Sequence, residues 1–285
     1  MEHREMLLFV GGVSVVGLLL NVVVGLLVLR LRRRVGWNFG HKLVLIVAVS
    51  DFLGAVTILV RAGMWTGESC GTLDRVLDLL LHLFYLQSSA MLALLGLDRY
   101  LTALGFPGVG GIAVLATMAV EGVFFGLAWH WHLFVSPLCG VTDATGAACL
   151  FAALVLSSGL VTWSYLCIIF LRRVTRQRVR DALSPTEYFI QCEACSLKEL
   201  PKGTSKRLYW KASVMVAAYL ISTLPVTVGL GMMAFTSLPP AFYLAYSFSL
   251  ASLQLFNPTM VLILHSRVQY ELLIYFLPHP PPLLT

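Results

Sequence analysis

The sequence has few charged residues, and this scarcity excludes most soluble folds. Only 12% of its 285 residues are Asp, Glu, Lys or Arg, whereas 58% are hydrophobic. Soluble domains usually carry about a quarter charged residues. A chain this apolar would expose too much hydrocarbon to water, but a lipid bilayer solvates Leu, Val and Phe well. The composition therefore indicates an integral membrane protein.

Other absences narrow the function. Six cysteines are too few and too scattered for a disulfide-rich secreted scaffold. The pair Cys192 and Cys195 has no second pair beside it, so zinc is not expected. Metal ligands at helical spacing and a Ser/His/Asp set are both missing, so we expect no enzyme and no required cofactor. Inverted repeats, which would favour a transporter, are not evident either.

Seven apolar runs are long enough to cross roughly 30 Å of hydrocarbon at a rise of about 1.5 Å per residue. The first run, Met6 to Leu29, is longer than a signal-peptide core, so we expect a retained helix. We predict an all-α membrane protein, a seven-transmembrane helix bundle in a single domain over 1–285, with a short amphipathic eighth helix. The predicted helices are 6–30, 42–65, 72–101, 109–133, 148–172, 208–235 and 241–264, followed by a surface helix at about 265–276.

The basic residues predict the orientation. Of the 20 Lys and Arg residues, only Arg4, Arg61 and Arg75 fall on the side of the membrane that holds the N-terminus. Because short cytoplasmic loops are enriched in Lys and Arg, the N-terminus is expected outside and the C-terminus inside. The net charge of +6 therefore reflects topology and contact with anionic membrane lipid, and we expect no nucleic-acid partner.

Polar residues inside the apolar runs are costly to bury in lipid, which makes each a functional candidate. Several fall into motifs, one on each of five runs. The motifs are Leu20-Asn21, Ala48-Val49-Ser50-Asp51, Leu97-Asp98-Arg99-Tyr100, Leu224-Pro225 and Asn257-Pro258. In this order they resemble the signature of rhodopsin-like (class A) G-protein-coupled receptors, and the resemblance extends over the whole chain.

The resemblance implies an activation switch at the cytoplasmic face. Arg99 is expected to pair with Asp98 when the receptor is inactive and to turn toward a heterotrimeric G protein when it is active. Tyr165 matches the tyrosine that supports Arg99 in the active state. The switch residues carried over are Asp98, Arg99, Tyr100, Tyr165, Asn257 and Pro258. The plainer alternative is that Asp98 and Arg99 form an interfacial ion pair.

The resemblance also implies a cation site in the middle of the bundle. Asp51, Ser88 and Asn257 match positions that surround a sodium ion in the family, and their oxygens suit a hard cation. Leu253 replaces a usual polar partner, although Gln254 follows it. A hydrogen-bonded polar cluster without an ion is the alternative.

The chain departs from the family at several activation residues. Thr223 stands where the tryptophan before the sixth-helix proline is expected, and Val261 where the tyrosine of the seventh-helix motif is expected. Ser157 and Glu121 occupy the approximate positions of the fifth-helix proline and the fourth-helix tryptophan. These changes leave open constitutive activity, weak coupling, or a receptor-like protein that does not signal and acts only by dimerising with others or by binding a ligand.

The candidate ligand pocket excludes two ligand classes. Leu81 stands where amine receptors need a carboxylate, and Ala251 where opsins need the retinal lysine. A lipid or a peptide is therefore the expected extracellular ligand. The pocket candidates are Arg61, Asp74, Asp78 and Leu81, with Arg61 expected to pair with Asp74 or Asp78 near the pocket mouth.

The cysteines resemble those of one branch of the family. The third-helix cysteine is replaced by Asp74, so Cys70 could reach the second outer loop, or Cys139 and Cys149 could bond within it. This arrangement, with the missing fifth-helix proline, resembles the melanocortin, lysophospholipid and cannabinoid receptors. Arg61 falls near the third acid of the melanocortin calcium site and reverses its charge, so binding of a melanocortin-type peptide is not expected.

Overall fold

The computed structural model describes residues 3–35, 39–63, 72–104, 106, 110–134, 144–182, 202–235, 240–264 and 268. Within these ranges the chain is all-helical, with seven long α-helices and no strand. The helices are α1 (His3–Val35), α2 (Phe39–Gly63), α3 (Thr72–Ala103), α4 (Gly111–Phe134), α5 (Ala144–Ala182), α6 (Lys202–Phe235) and α7 (Pro240–Leu264).

Two helices extend well beyond the apolar runs that predict them. α5 continues to Ala182 and α6 begins at Lys202, whereas the apolar runs cover 148–172 and 208–235. The added turns are rich in Arg, Lys and Gln, which are good helix formers but end any hydropathy signal. The charged extensions therefore lengthen both helices beyond their apolar spans, at the end of α5 and at the beginning of α6.

Four helices in the described ranges are long and apolar enough to cross a membrane. The spans are Phe9–Arg33, Phe39–Gly63, Val76–Leu101 and Phe151–Phe170, and shorter apolar segments occupy Gly111–Val120 and Val216–Met232. Many large apolar side chains on these helices face outward, such as Leu26 at 62% exposure and Leu156 at 74%. Lipid is the solvent that suits such a surface.

The helices pack side by side in a closed order. α1 contacts α2 and α7, α2 contacts α3, and α3 contacts α5, while α5 and α7 each contact α6. α4 lies at the periphery, against α3 and the edge of α5. We call the end of the bundle that holds the first residues of α1 the outer end, after the predicted orientation, and the opposite end the inner end.

Two hydrophobic clusters fill the interior. The outer cluster includes Leu81, Tyr85, Leu154 and Tyr246. The inner cluster includes Leu43, Met91, Tyr165 and Tyr219, and it also contains Val268. Val268 is fully buried and is the one described residue of the predicted surface helix 265–276; the rest of that segment lies outside the described residues.

Candidate functional site

A buried polar cluster lies between the two hydrophobic clusters. Asn257 of α7 donates from Nδ2 to Asp51 Oδ2 of α2 at 3.0 Å, and to Ser88 Oγ of α3 at 3.0 Å. All three side chains are less than one-tenth exposed. A buried carboxylate is stable only when donors satisfy it, and the amide of Asn257 is one such donor. The structure thus brings the three predicted sodium-site residues into direct contact.

Asn21 ties α1 to the same level of α7. Its Nδ2 donates to the main-chain oxygen of Gln254 at 2.9 Å, and to that of Gly17 at 2.9 Å. Pro258 stands four residues after Gln254 and has no N–H, so the helix cannot supply this carbonyl with its usual donor. Asn21 provides the missing hydrogen bond from a neighbouring helix, which explains the need for an amide at this position of α1.

A small cavity adjoins Asp51 on the side of Gln254. Its volume is about 10 Å³, and its lining includes Ser50, Asp51, Gly54 and Gln254. The side chain of Gln254 fits over Gly54, where a Cβ atom would lie 2.8 Å from its Nε2. Among the described residues, no group donates to the buried Gln254 Oε1. A space of this size holds about one water molecule or a small ion.

The oxygen atoms of this polar cluster and of the cavity lining are suited in part to binding a sodium ion. Asp51 Oδ2 and Ser88 Oγ both accept from Asn257, so the amide occupies the position between them. Asp51 and Gln254 both line the cavity, Gln254 Oε1 has no hydrogen-bond donor among the described residues, and carboxylate and amide oxygens suit hard cations. Gln254 therefore joins the candidate set in the role that Leu253 cannot fill.

An ion pair spans α2 and α3 near the outer end. Arg61 Nη1 of α2 lies 2.5 Å from Asp78 Oδ1 of α3, with side-chain exposures of 26% and 12%. Leu81, one turn further along α3, is buried in the outer cluster. The geometry matches the charge compensation expected for Arg61, with Asp78 as the partner. α2 and α3 are thereby linked by opposite charges close to the predicted pocket mouth.

The ion pair continues into the bundle through His82. Nδ1 of His82 lies 2.7 Å from the main-chain oxygen of Asp78 and 3.7 Å from Asp78 Oδ2. Nε2 of the same ring is hydrogen-bonded to the hydroxyl of Tyr246 in α7. The Tyr246 ring in turn covers Gly229 of α6, where a Cβ atom would lie 2.9 Å from Cδ2. A continuous set of contacts thus runs from α2 through α3 and α7 to α6.

The Asp98-Arg99-Tyr100 motif lies at the inner end of α3. Asp98 is buried, whereas Arg99 is exposed and lies near Tyr165 of α5. α3 and α5 approach closely here because Gly96 has no side chain; a Cβ atom would meet Tyr165 Cε2 at 3.4 Å. Tyr100 packs edge-on against Trp163, with ring centroids 5.0 Å apart. The structure therefore brings the predicted switch residues of α3 and α5 together.

Hydroxyl groups occupy the core of the bundle around Thr223, the position at which the sequence resemblance would place a tryptophan. Thr223 is buried and donates to the main-chain oxygen of Tyr219 at 2.8 Å. The hydroxyls of Tyr85 and Tyr219 lie beside Ser89, yet within the described residues neither reaches hydrogen-bonding geometry. This region between α3 and α6 is consequently more polar than it would be with a tryptophan in place of Thr223.

Several predicted site residues cannot be placed. Cys70 and Cys139 lie outside the described residues, as do Cys192 and Cys195. Asp74, Glu121 and Cys149 belong to α3, α4 and α5, but their side chains are not described. The disulfide therefore stays a prediction. Among the described cysteines, Cys167 is free.

His82 and Tyr246 are absent from the sequence-based site. One signal could have identified His82, because it stands four residues after Asp78 and so on the same face of α3. Tyr246 carries no such signal, since it is 164 residues from His82 and resembles the other aromatic residues of an apolar run.

Comparison with known proteins supports the fold. No protein-family model and no curated protein matches the sequence. Among solved structures, the chain is similar to the crystal structure of squid rhodopsin, with a TM-score of 0.66 and 15% sequence identity over 96% of this chain and 85% of that one. The chain therefore shares the helical fold of squid rhodopsin. With its apolar helices, the chain is a multi-pass membrane protein.

Proposed function

We propose that the chain is a G-protein-coupled receptor that converts binding of an extracellular ligand into activation of a heterotrimeric G protein. It has the predicted topology of seven membrane spans and a surface helix, in the plasma membrane, with the N-terminus outside. The ligand is a lipid or a peptide rather than an amine or retinal, because Leu81 and Ala251 remove the groups that those ligands need.

One observation carries this proposal. Arg99 is exposed at the inner end of α3, directly after the buried Asp98 and near Tyr165 of α5. An arginine in an apolar helix is costly unless it has a role at the membrane surface. An exposed guanidinium at this end is available to the carbonyl groups of a cytoplasmic partner, and Tyr165 of α5 lies near it.

A receptor-like protein that does not signal is the second candidate, and Thr223 favours it. Its hydroxyl is bonded within α6 and it offers no bulk to contact α3 or α7 in the way that an aromatic ring would. A transporter is not favoured, because the sequence shows no inverted repeat of the kind on which many transporters are built.

Purified receptor in lipid nanodiscs would test the proposal by guanine-nucleotide exchange on each class of G protein. We expect basal or ligand-stimulated exchange that Arg99→Ala abolishes. Arg33→Ala is the matched control, because it removes another exposed arginine from the inner end of α1. Correctly folded protein with no exchange on any class would refute signalling and leave the second candidate.

We further propose that Asp51 and Gln254 bind a sodium ion in the cavity beside them. Thermal unfolding in sodium chloride and in N-methylglucamine chloride of equal ionic strength provides the test. Sodium is expected to stabilise the wild type and to have no specific effect on Asp51→Asn, which lacks the anionic ligand. Equal unfolding temperatures of the wild type in the two salts would show that the cavity holds water instead.

A further inference from the structure

The hydrogen bonds of His82 indicate which ring nitrogen carries the proton in the neutral ring. Nδ1 faces the main-chain oxygen of Asp78 at 2.7 Å, and a carbonyl oxygen can only accept, so Nδ1 carries a proton. In the neutral ring Nε2 then has a lone pair and accepts from the hydroxyl of Tyr246. When His82 is neutral it therefore links α3 to α7 as the Nδ1–H tautomer, with Tyr246 as the donor.

Charged and titratable groups surround this ring on three helices. Arg61 approaches from α2, Asp78 and Tyr85 belong to α3, and Tyr246 approaches from α7. α6 contributes Gly229 beneath the Tyr246 ring, and Tyr219 further along the helix, beside Tyr85. His82 is only 4% exposed, but Asp78 and the more exposed Arg61 connect it to the outer end.

Asp78 has two basic neighbours, Arg61 and His82, so its carboxylate can pair with one or with the other. Its Oδ1 binds Arg61 at 2.5 Å, and its Oδ2 lies 3.7 Å from His82 Nδ1, too far for a hydrogen bond. While the imidazole is neutral, Arg61 is the stronger partner. A positive charge on the imidazole would draw the carboxylate toward His82 and weaken its hold on Arg61.

We propose that the proton is a ligand of this receptor, with His82 as the residue that binds it. A proton from the outer aqueous phase adds to the lone pair of Nε2, and no other bond is broken. Nε2 then becomes a donor and can no longer accept from Tyr246. The Tyr246 hydroxyl must either rotate, so that its oxygen accepts from Nε2–H, or move away with its ring. The neutral form of the α3–α7 hydrogen bond is thereby replaced, and Asp78 turns from Arg61 toward the imidazolium.

The contact between Tyr246 and Gly229 connects this change to α6. The tyrosine ring lies directly on the backbone of α6 at Gly229, four residues beyond Pro225. A shift of the ring therefore changes the packing of the outer segment of α6, and a proline-interrupted helix bends more readily than a regular one. Protonation is expected to favour the active receptor. This consequence, unlike the chemistry of His82, rests on the proposed signalling function.

Nitrogen-15 NMR of histidine-labelled receptor in nanodiscs tests the chemistry directly. The chain has seven histidines, and His82→Gln identifies the signal of interest because glutamine offers Tyr246 a neutral acceptor that cannot titrate. Spectra are recorded between a pH of about 8 and about 5, the interval in which imidazoles in general change charge. We expect the Nδ1–H tautomer at the alkaline end of the series and the doubly protonated ring at the acidic end. Tyr246→Phe should shift the Nε2 signal, which assigns the residue even if His82→Gln does not fold.

An Nε2–H tautomer, or a ring whose charge does not change over this range, would overturn the proposal. G-protein nucleotide exchange provides the second measurement, with His41→Gln as the control, because His41 is also a buried histidine but lies in the first turn of α2, near the inner end. Acid should increase exchange in the wild type and in His41→Gln, and the increase should be lost in His82→Gln. The same pH response in all three proteins would also overturn the proposal. Titration of His82 without exchange at any pH would instead refute the proposed signalling function and leave the proton site intact.

Discussion

Asn21 of α1 donates a 2.9 Å hydrogen bond to the main-chain oxygen of Gln254 in α7. The bond links two helices through a carbonyl that Pro258 leaves without an intrahelical donor. A bare carbonyl in the interior of a membrane protein has no water to accept from, so a side chain must supply the donor. Asn21 therefore replaces the hydrogen bond that Pro258 cannot donate, although the two residues are far apart in the sequence.

Asn21→Ala should destabilise the bundle by roughly 1 kcal/mol, since interhelical hydrogen bonds in membranes contribute about 0.6–2 kcal/mol. Ser14→Ala is the matched control, because the Ser14 hydroxyl is equally buried on α1 but bonds only to the oxygen of Val10 in its own helix. Reversible unfolding in mixed detergent micelles measures both. Equal effects of the two substitutions would argue against a special role for the Asn21 bond.

Gly17→Ala should separate α1 from α7. A Cβ atom at Gly17 would lie 3.0 Å from the main-chain oxygen of Gln254, and this backbone atom cannot move without its helix. Overpacking of this kind costs about 1–3 kcal/mol. Gly12→Ala is the control, since nothing lies within 4 Å of its Cβ position, and the better helix propensity of alanine should leave stability equal or higher. The measurement is the unfolding temperature of each variant, and a neutral Gly17→Ala would contradict the close approach.

The sequence predicts the buried polar residues around Asp51 better than the contact between His82 and Tyr246, for a physical reason. Asn21, Asp51 and Asn257 stand out because polar residues in apolar runs are rare, and the structure places all three in one layer. The link between His82 and Tyr246 depends on how helices rotate about their axes, which hydropathy does not define. Likewise, the apolar runs are shorter than α5 and α6, because Arg and Lys extend a helix where the membrane span stops. α5 ends later than its run, and α6 begins earlier than its run.

Asn257→Ala should leave Asp51 without one of its donors and cost about 1–3 kcal/mol. The reciprocal double variant Asp51→Asn with Asn257→Asp keeps one carboxylate and one amide in contact, so it should recover part of the stability lost in either single variant. Thr259→Val is the control on α7, because its hydroxyl bonds only to Leu255 of the same helix. Additive effects in a double-mutant cycle would show that Asp51 and Asn257 do not interact.

Gly229→Ala should disturb the packing of the Tyr246 ring against α6. The new methyl carbon would lie 2.9 Å from Cδ2 of the ring, so the ring must move and its hydroxyl must shift relative to His82. We expect a loss of about 1–3 kcal/mol from overpacking and a changed Nε2 signal of His82 in the NMR spectrum. Gly159→Ala on α5, whose Cβ position is open, should change neither quantity. If Gly229→Ala lowers stability but leaves the His82 signal unchanged, the ring does not couple α6 to the α3–α7 link, and the step from the proton site to α6 would have to be abandoned.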